Sequence, residues 1–257
     1  RTERMKLTRQ ERAALRASFQ EMGPADKAGY IWEYYKLPIA LGLLALAFVC
    51  STVYRQATQK EVLVYSALIN VSAGDTLASQ LNEGFLSAEG ADPKKAEVSL
   101  FQGLYLSENP SPENHQYGYA SRLKLMAAIE AKQLDVVLMN KEAYDIYSRN
   151  GYLLDFDSLL SENEALYRFL KPNLTVNTVV LEDNAIEYAL NEASQYQAVT
   201  EEAMNGLDVS AFPMFQSAGF SEPVYLGVIA NSPRLSAVIQ YIEYLSDGRS
   251  MEKSEVD

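Results

Sequence analysis

The 257-residue chain has one cysteine, one histidine and one tryptophan. A single cysteine excludes an internal disulfide and any paired-thiol zinc or redox centre. The single histidine, His115, lies between Asn114 and Gln116 in a polar stretch and reads as a solvated loop residue. Nucleophile–base pairs therefore fail on inventory, and no phosphate-loop, nucleophile-elbow, zincin or calcium-loop spacing occurs. Basic residues are also scarce. Against 34 Asp and Glu there are 22 Lys and Arg, a net charge of −12. That balance excludes a nucleic-acid-binding face, which needs an excess of cations. Carboxylates are too abundant for any one pair to point to hydrolysis. We expect no enzyme, no cofactor and no metal site.

What is present is unevenly spread. From Leu37 to Tyr54 the chain runs 18 residues without a charge or a histidine. Residues 1–36 carry eight Lys and Arg against five Asp and Glu, a net of +3, and the remainder carries −15. An apolar helix of this length is just sufficient for a hydrocarbon layer ~30 Å thick. Pro38 is expected in its first turn, where a missing N–H costs little. Tyr30, Trp32, Tyr34 and Tyr35 before the run and Tyr54 at its end have the pattern of an interfacial aromatic belt. Lys36 and Arg55 can extend their aliphatic stems outward to the head groups. The distribution of basic residues predicts a cytoplasmic N-terminus and an extracellular acidic domain. The stretch before the apolar run is too long for a cleaved signal peptide, and no small-x-small site follows. Phe48 and Val49 stand where lipoprotein processing at Cys50 would need small residues, so Cys50 reads as a membrane-buried thiol.

Three segments follow: a basic cytoplasmic leader (1–36), a transmembrane helix (37–55) and an acidic extracytoplasmic domain (56–257). In the leader, Thr8 and Glu11 form a capping-box pattern ahead of Leu15, Phe19 and Met22, which suits a helix lying on anionic lipid or in solvent. A second helix capped near Asp26 leads toward the span. Beyond Arg55 strands and helices alternate. Strands are expected at 62–71, 98–106, 134–139, 174–182 and 223–231, and helices at about 75–86, 119–133, 141–150 and 185–199. A closing helix is expected from Ser232, with Pro233 in its first turn. This alternation predicts an α/β domain with a mostly parallel sheet covered on both faces.

Two stretches, AAIEAKQLDVVLMNKEAYDIYSRNGYLLDFDSLL and PVYLGVIANSPRLSAVIQYIEYL, resemble segments of the extracellular solute-binding proteins of ABC transporters. In that family a helix leads to an L-D-V-V strand, and a later strand precedes S-P and a closing helix. The layout as a whole, with its W-x-Y-Y-K leader and one span, is similar to membrane-anchored proteins of Gram-positive bacteria. The resemblance implies a periplasmic-binding-protein-like ectodomain. The roughly 200 exterior residues leave room for one lobe and part of another, where the family usually has two.

In open α/β sheets ligands lie beyond the carboxyl ends of the strands. The candidate binding residues there are Asn70, Asp75, Asn140, Tyr144 and Tyr225, with Val71, Ser72 and Tyr105 beside them. Their amides and rings suit a sugar or a peptide. Two functions remain open: an interaction subunit accessory to a transporter or envelope complex, and a binding protein that captures a small solute. The expected partners are the lipid bilayer and an integral membrane complex such as an ABC transporter. A small solute joins them under the second reading.

The charge step generates a direct test. A broad-specificity protease added to intact protoplasts should remove the chain beyond about Gln56 and spare the basic leader. Protection of the C-terminal domain would refute the orientation.

Overall fold

The apolar run and its flanks form one uninterrupted helix, α1 (Pro24–Thr58), 35 residues long. At ~1.5 Å per residue it extends roughly 52 Å. Its window Leu37–Tyr54 has a mean hydropathy of 2.1, and none of it is buried within the protein, so the helix is long and apolar enough to cross a membrane. The Thr52 hydroxyl donates to the Val49 carbonyl at 2.8 Å and so is satisfied inside the helix. Pro38 is not in the first turn, because the helix begins at Pro24, ahead of the cap expected near Asp26, and runs into the apolar stretch without a break. It therefore leaves the carbonyl four residues earlier without its usual donor. This computed structural model describes residues 23–58, 60–190 and 195–247. The expected leader helix around Leu15 lies outside them. The chain divides into two units, 1–59 and 60–257.

The second unit runs β1 (Glu61–Ile69), α2 (Asp75–Ser79), a π-helical turn (Gln80–Gly84), α3 (Phe85–Ala88), β2 (Ala96–Leu104), α4 (His115–Glu130), β3 (Val136–Met139) and α5 (Lys141–Arg149). It continues through α6 (Phe156–Leu159), α7 (Glu164–Leu170), β4 (Leu174–Asp183), α8 (Ala185–Leu190), β5 (Ala198–Asp208), α9 (Pro213–Ala218), β6 (Tyr225–Val228) and α10 (Leu235–Asp247). The six strands form one sheet in the order β2-β1-β3-β6-β5-β4.

The mostly parallel sheet is met in one half only. β1 pairs parallel with β2 and β3, whereas β3–β6, β6–β5 and β5–β4 are antiparallel. A parallel strand needs a long crossover, usually a helix spanning the sheet, and α9 with six residues does not provide one. The expected helix over 185–199 ends at Leu190, and a strand that the sequence pattern did not predict begins at Ala198. Its sequence, AVTEEAMNGLD, lacks apolar alternation and is rich in the helix formers Ala and Glu. Only Leu207 and Asp208 of β5 pair with β6, so most of the β4–β5 hairpin projects beyond the sheet.

Both faces of the sheet are covered, as the apolar β3 run requires. Val64 and Leu68 of β1, Val136 and Leu138 of β3, and Leu226 and Val228 of β6 share one core cluster with Phe85, Phe156, Phe215 and Tyr241. Ala67, Ile69, Val137 and Met139 turn to the other face and pack with Leu125, Ile129, Tyr144 and Tyr147 of α4 and α5. The π-helical turn exposes carbonyls to the core side. Tyr241 and Tyr244 of α10 satisfy them, donating to Leu81 O at 2.9 Å and Gln80 O at 2.8 Å.

The two resemblance-bearing segments meet at Asp135, whose side chain has no solvent exposure. Oδ2 accepts from the Tyr65 backbone N–H at 2.8 Å and from Arg234 Nε at 2.8 Å, and Oδ1 accepts from Ser232 Oγ at 2.6 Å. Ser232 Oγ also accepts from the Arg234 N–H at 3.2 Å, but α10 begins only at Leu235, so Pro233 precedes the helix rather than opening it. The Arg234 guanidinium also lies 4.6 Å from the centre of the Tyr65 ring.

The fragment Lys60–Asp257 should unfold in one cooperative thermal transition, since the described residues of both core clusters lie within it. Asp135→Ala should cost roughly 2–4 kcal/mol in urea titration of that fragment, by stranding the Tyr65 N–H and removing the partner of Arg234. A change below about 1 kcal/mol would show the carboxylate to be incidental.

Candidate functional site

The carboxyl edge of the parallel strands brings Asn70 and Asn140 together. Asn70 follows β1 in the left-handed region (φ 57°), which Asn tolerates better than other side chains. Its amide then acts as one more strand residue would. Nδ2 donates to Leu106 O at 2.6 Å, and Oδ1 accepts from Leu106 N at 2.9 Å, extending the β1–β2 ladder. Nδ2 also donates to Asn140 Oδ1 at 3.1 Å. The same Asn140 oxygen accepts from Ala143 N at 3.1 Å and so caps α5. The two predicted ligand groups are thus engaged with each other and with the backbone.

Tyr144 is fully buried, which corrects its expected place in a ligand cleft. Its ring stacks on Tyr225, 5.0 Å between centroids. Tyr225, half-buried, sits at the start of β6, and reaches the carboxyl edge of β3 because β6 runs antiparallel to it. The Tyr144 hydroxyl lies 3.0 Å from Asn205 Oδ1 and 3.1 Å from both Thr175 O and Thr175 Oγ1. Asn205 in turn donates to Ser148 Oγ at 2.8 Å, and Ser148 donates to Thr178 O at 2.9 Å. This buried network clips the hairpin onto α5, and Asn177 Nδ2 adds a bond to Asp145 at 2.8 Å. Gly206 is required where Tyr144 crosses β5, since a Cβ there would collide with the phenol ring and with Thr175. Burial raises the Tyr144 phenol to about 12 and pushes those of Tyr147 and Tyr241 up as well.

The other predicted positions lie apart. Asp75 is exposed at the first turn of α2, where its charge complements the helix dipole; the cap itself is Gly74, without a side-chain bond. Tyr105 stacks on Tyr117 at 6.2 Å, Val71 packs against the core, and Ser72 is exposed. His115 opens α4 rather than ending a loop. On α1, Trp32 and Tyr54 are exposed; the side chains of Tyr34, Tyr35, Lys36 and Arg55 lie outside the described set. A cavity of about 340 Å³ opens between α4 and α5, lined by Leu106, Arg122, Leu125, Ile129, Ile146 and Tyr147, and includes none of the predicted binding residues. Among the described residues no three His, Cys, Asp or Glu side chains converge on a metal position.

The feature that sequence reading missed is the hairpin tip. Asn184 stitches it: its backbone N–H donates to Gln197 O, its Nδ2 to Gln195 O at 2.9 Å, and its Oδ1 accepts from Gln197 N at 2.7 Å. Tyr196 donates to Asp183 at 3.1 Å and meets Tyr188 edge-on. Outside this frame stand exposed apolar side chains: Leu190 (84% exposed), Ile186 (79%), Val199 (57%) and Leu181 (56%). One signal was available in the sequence. Between Lys171 and Arg234 there is no Lys, Arg or His, against eight Asp and Glu.

No family model matches the chain, and no curated protein matches it. Among solved structures, a cysteine-to-serine mutant of Corynebacterium glutamicum OxyR with H2O2 bound aligns at 13% identity over 95% of this chain and 86% of that one. The TM-score is 0.27, too low to carry a statement about fold or function.

The raised phenols generate a pH prediction. A phenol whose folded pKa lies above the ordinary 10 holds its proton in the native state after the unfolded chain has lost it. Stability from Tyr144 is therefore complete below pH 10 and declines from about pH 10 toward 12. Spectrophotometric titration of the fragment Lys60–Asp257 should show buried phenols ionising only together with loss of the far-ultraviolet signal. Normal titration of every tyrosine in the folded protein would contradict the buried network.

Proposed function

We propose that the protein is a single-pass, membrane-anchored interaction subunit, with its N-terminus cytoplasmic and its acidic α/β domain extracellular. It serves an integral membrane complex such as a transporter. The observation that carries this reading is the closed strand edge. At the crevice where a solute would lie, Asn70 and Asn140 spend their amides on each other, on Leu106 and on the α5 cap. Tyr144 spends its hydroxyl on the hairpin. Groups that would hydrogen-bond a sugar or peptide must first give up these bonds, at about 1 kcal/mol or more for each one not replaced.

The resemblance to solute-binding proteins of ABC transporters supports a role beside such complexes. Its two segments fall on β3 and β6, adjoining strands of the single sheet. The step from a basic leader to an acidic domain supports the orientation, and the apolar helix supports the anchor.

The test is a comparison of two assays. The ectodomain should show no saturable melting shift with sugars, amino acids or short peptides, while gently solubilised full-length protein co-purifies with an integral membrane protein. A solute present at about 100 times its Kd would add roughly 2.7 kcal/mol and move the midpoint by several degrees. Such a shift would instead establish the solute-binding alternative. Trp32 is the only tryptophan and lies on α1, so indole fluorescence cannot report binding to the ectodomain.

A further inference from the structure

We infer that the cavity between α4 and α5 is a binding site for a small organic carboxylate with an apolar body. The inference goes beyond the interaction-subunit reading and does not depend on it, since the cavity includes none of Asn70, Asn140, Tyr144 and Tyr225.

Three observations carry it. First, the space suits a small apolar body. Leu106, Leu125, Ile129 and Ile146 are buried in its lining, whereas Arg122 and Met126 are exposed and belong to its open side. Its volume of about 340 Å³ lies at the small end of ligand pockets, which run roughly 300–1,000 Å³. A dry cavity of ~150 Å³ holds benzene, so a ring or a short chain with a polar head is the matching size.

Second, a buried phenol borders this space without a partner. Tyr147 of α5 is 3% exposed, and no hydrogen bond satisfies its hydroxyl among the described residues. Tyr144, three residues earlier on the same helix, has its hydroxyl fully engaged. Among the described residues Ser66 Oγ is the only fully enclosed side-chain polar atom that lacks a partner. The Tyr147 oxygen is therefore not sealed in the core, and the space that the residue borders is the cavity. Burial, with the Tyr152 phenol beside it, pushes the Tyr147 phenol up, so it stays protonated and can donate. An orphaned donor in such a place is costly, and an acceptor oxygen on a ligand removes that cost.

Third, the charge left over is positive. Glu108 also borders the cavity, but it pairs with Arg149. Arg122 has no carboxylate partner among the described residues and donates to Ser107 O at 3.4 Å, a long bond. In a chain with 34 Asp and Glu against 22 Lys and Arg, an arginine beside a cavity would ordinarily find an acidic neighbour. A guanidinium and a phenol both donate to oxygen, and a carboxylate is the head group that answers both kinds of donor. An ammonium head would be repelled by Arg122, and a plain hydrocarbon would leave the Tyr147 hydroxyl unsatisfied. A sugar would strand its own hydroxyls against Leu125, Ile129 and Ile146.

The experiment is titration calorimetry of the full-length protein in phosphatidylcholine nanodiscs, corrected for empty nanodiscs. The probes are 3-phenylpropionate and hexanoate, with their amides as uncharged matches. The expected result is saturable binding of at least one acid, its amide binding roughly tenfold more weakly or worse. Arg122→Gln should weaken the acid by a similar factor. Tyr147→Phe should weaken it about threefold, yet leave the melting midpoint of the unliganded protein unchanged or higher, because the hydroxyl has no bond to lose. Tyr225→Phe, at the strand edge, should change nothing. The inference is overturned by no saturable binding of either acid, by equal binding of acid and amide, or by binding that survives either cavity substitution unweakened. A midpoint lowered by Tyr147→Phe would also overturn it, since the hydroxyl would then be bonded within the fold. Binding lost in Tyr225→Phe instead would move the ligand to the strand edge and support the solute-binding alternative. The other outcomes leave co-purification with a membrane protein, and with it the interaction-subunit reading, to its own test.

Discussion

A buried carboxylate joins the two halves of the sheet-bearing unit. Asp135 sits at the entrance to β3, fully out of water, and ties β1 through the Tyr65 N–H and the chain before α10 through Ser232 and Arg234. Its own backbone carries the connection further, donating to Tyr65 O and accepting from Ile229 N. A desolvated charge is tolerated only when every lone pair is directed at a donor. That demand sets where β6 lies beside β3 and where α10 departs from the sheet. The packing of α10 against β1 and the π-helical turn follows from it, with Tyr241 and Tyr244 supplying the donors that the turn needs.

The parallel half of the sheet was legible in the sequence because its signals are strong and local. VLVYSALI is a short run rich in β-branched residues, and VVLM, directly after Asp135, is fully apolar. Leu77, Leu81, Phe85 and Leu86 repeat at helical spacing, and all four are buried. The antiparallel half was not legible, for physical reasons. β5 is exposed along its first five residues, so it has no buried face to impose alternation, and its consecutive Glu201 and Glu202 read as helix or loop. Strand direction is a property of the connection rather than of the strand. PVYLGVIAN reads the same whichever way β6 lies. Ser232 has the local form of a helix cap and accepts from the Arg234 N–H, but the sequence could not show that its hydroxyl also donates to Asp135, 97 residues away.

Much the same division holds at the candidate site. Four of the five predicted residues gather at one edge, because strand ends are placed by topology, and topology was partly readable. Their use was not. Whether an asparagine faces a solute or another asparagine depends on neighbours remote in the chain, and Tyr144 is covered by a hairpin whose second strand the pattern did not predict. The network of Tyr144, Asn205 and Ser148 joins α5 to β5 across more than fifty residues. Polar networks of this kind specify one arrangement of elements only when complete. Here it fixes the hairpin against α5, while the apolar side chains of the tip face outward.

The cation-free hairpin also shapes how the protein yields to chemical probes. Trypsin needs Lys or Arg, and Lys171 precedes Pro172, a bond it cuts poorly. From Phe169 to Arg234 the chain thus offers trypsin no good site. Arg234 itself is held by the buried Asp135 in the native state. Amine-directed reagents find no lysine beyond Lys171 in the same stretch. The hairpin is therefore a surface that lysine chemistry and tryptic peptide mapping pass over. Glu-directed proteolysis and carboxylate-directed coupling bring the hairpin into view.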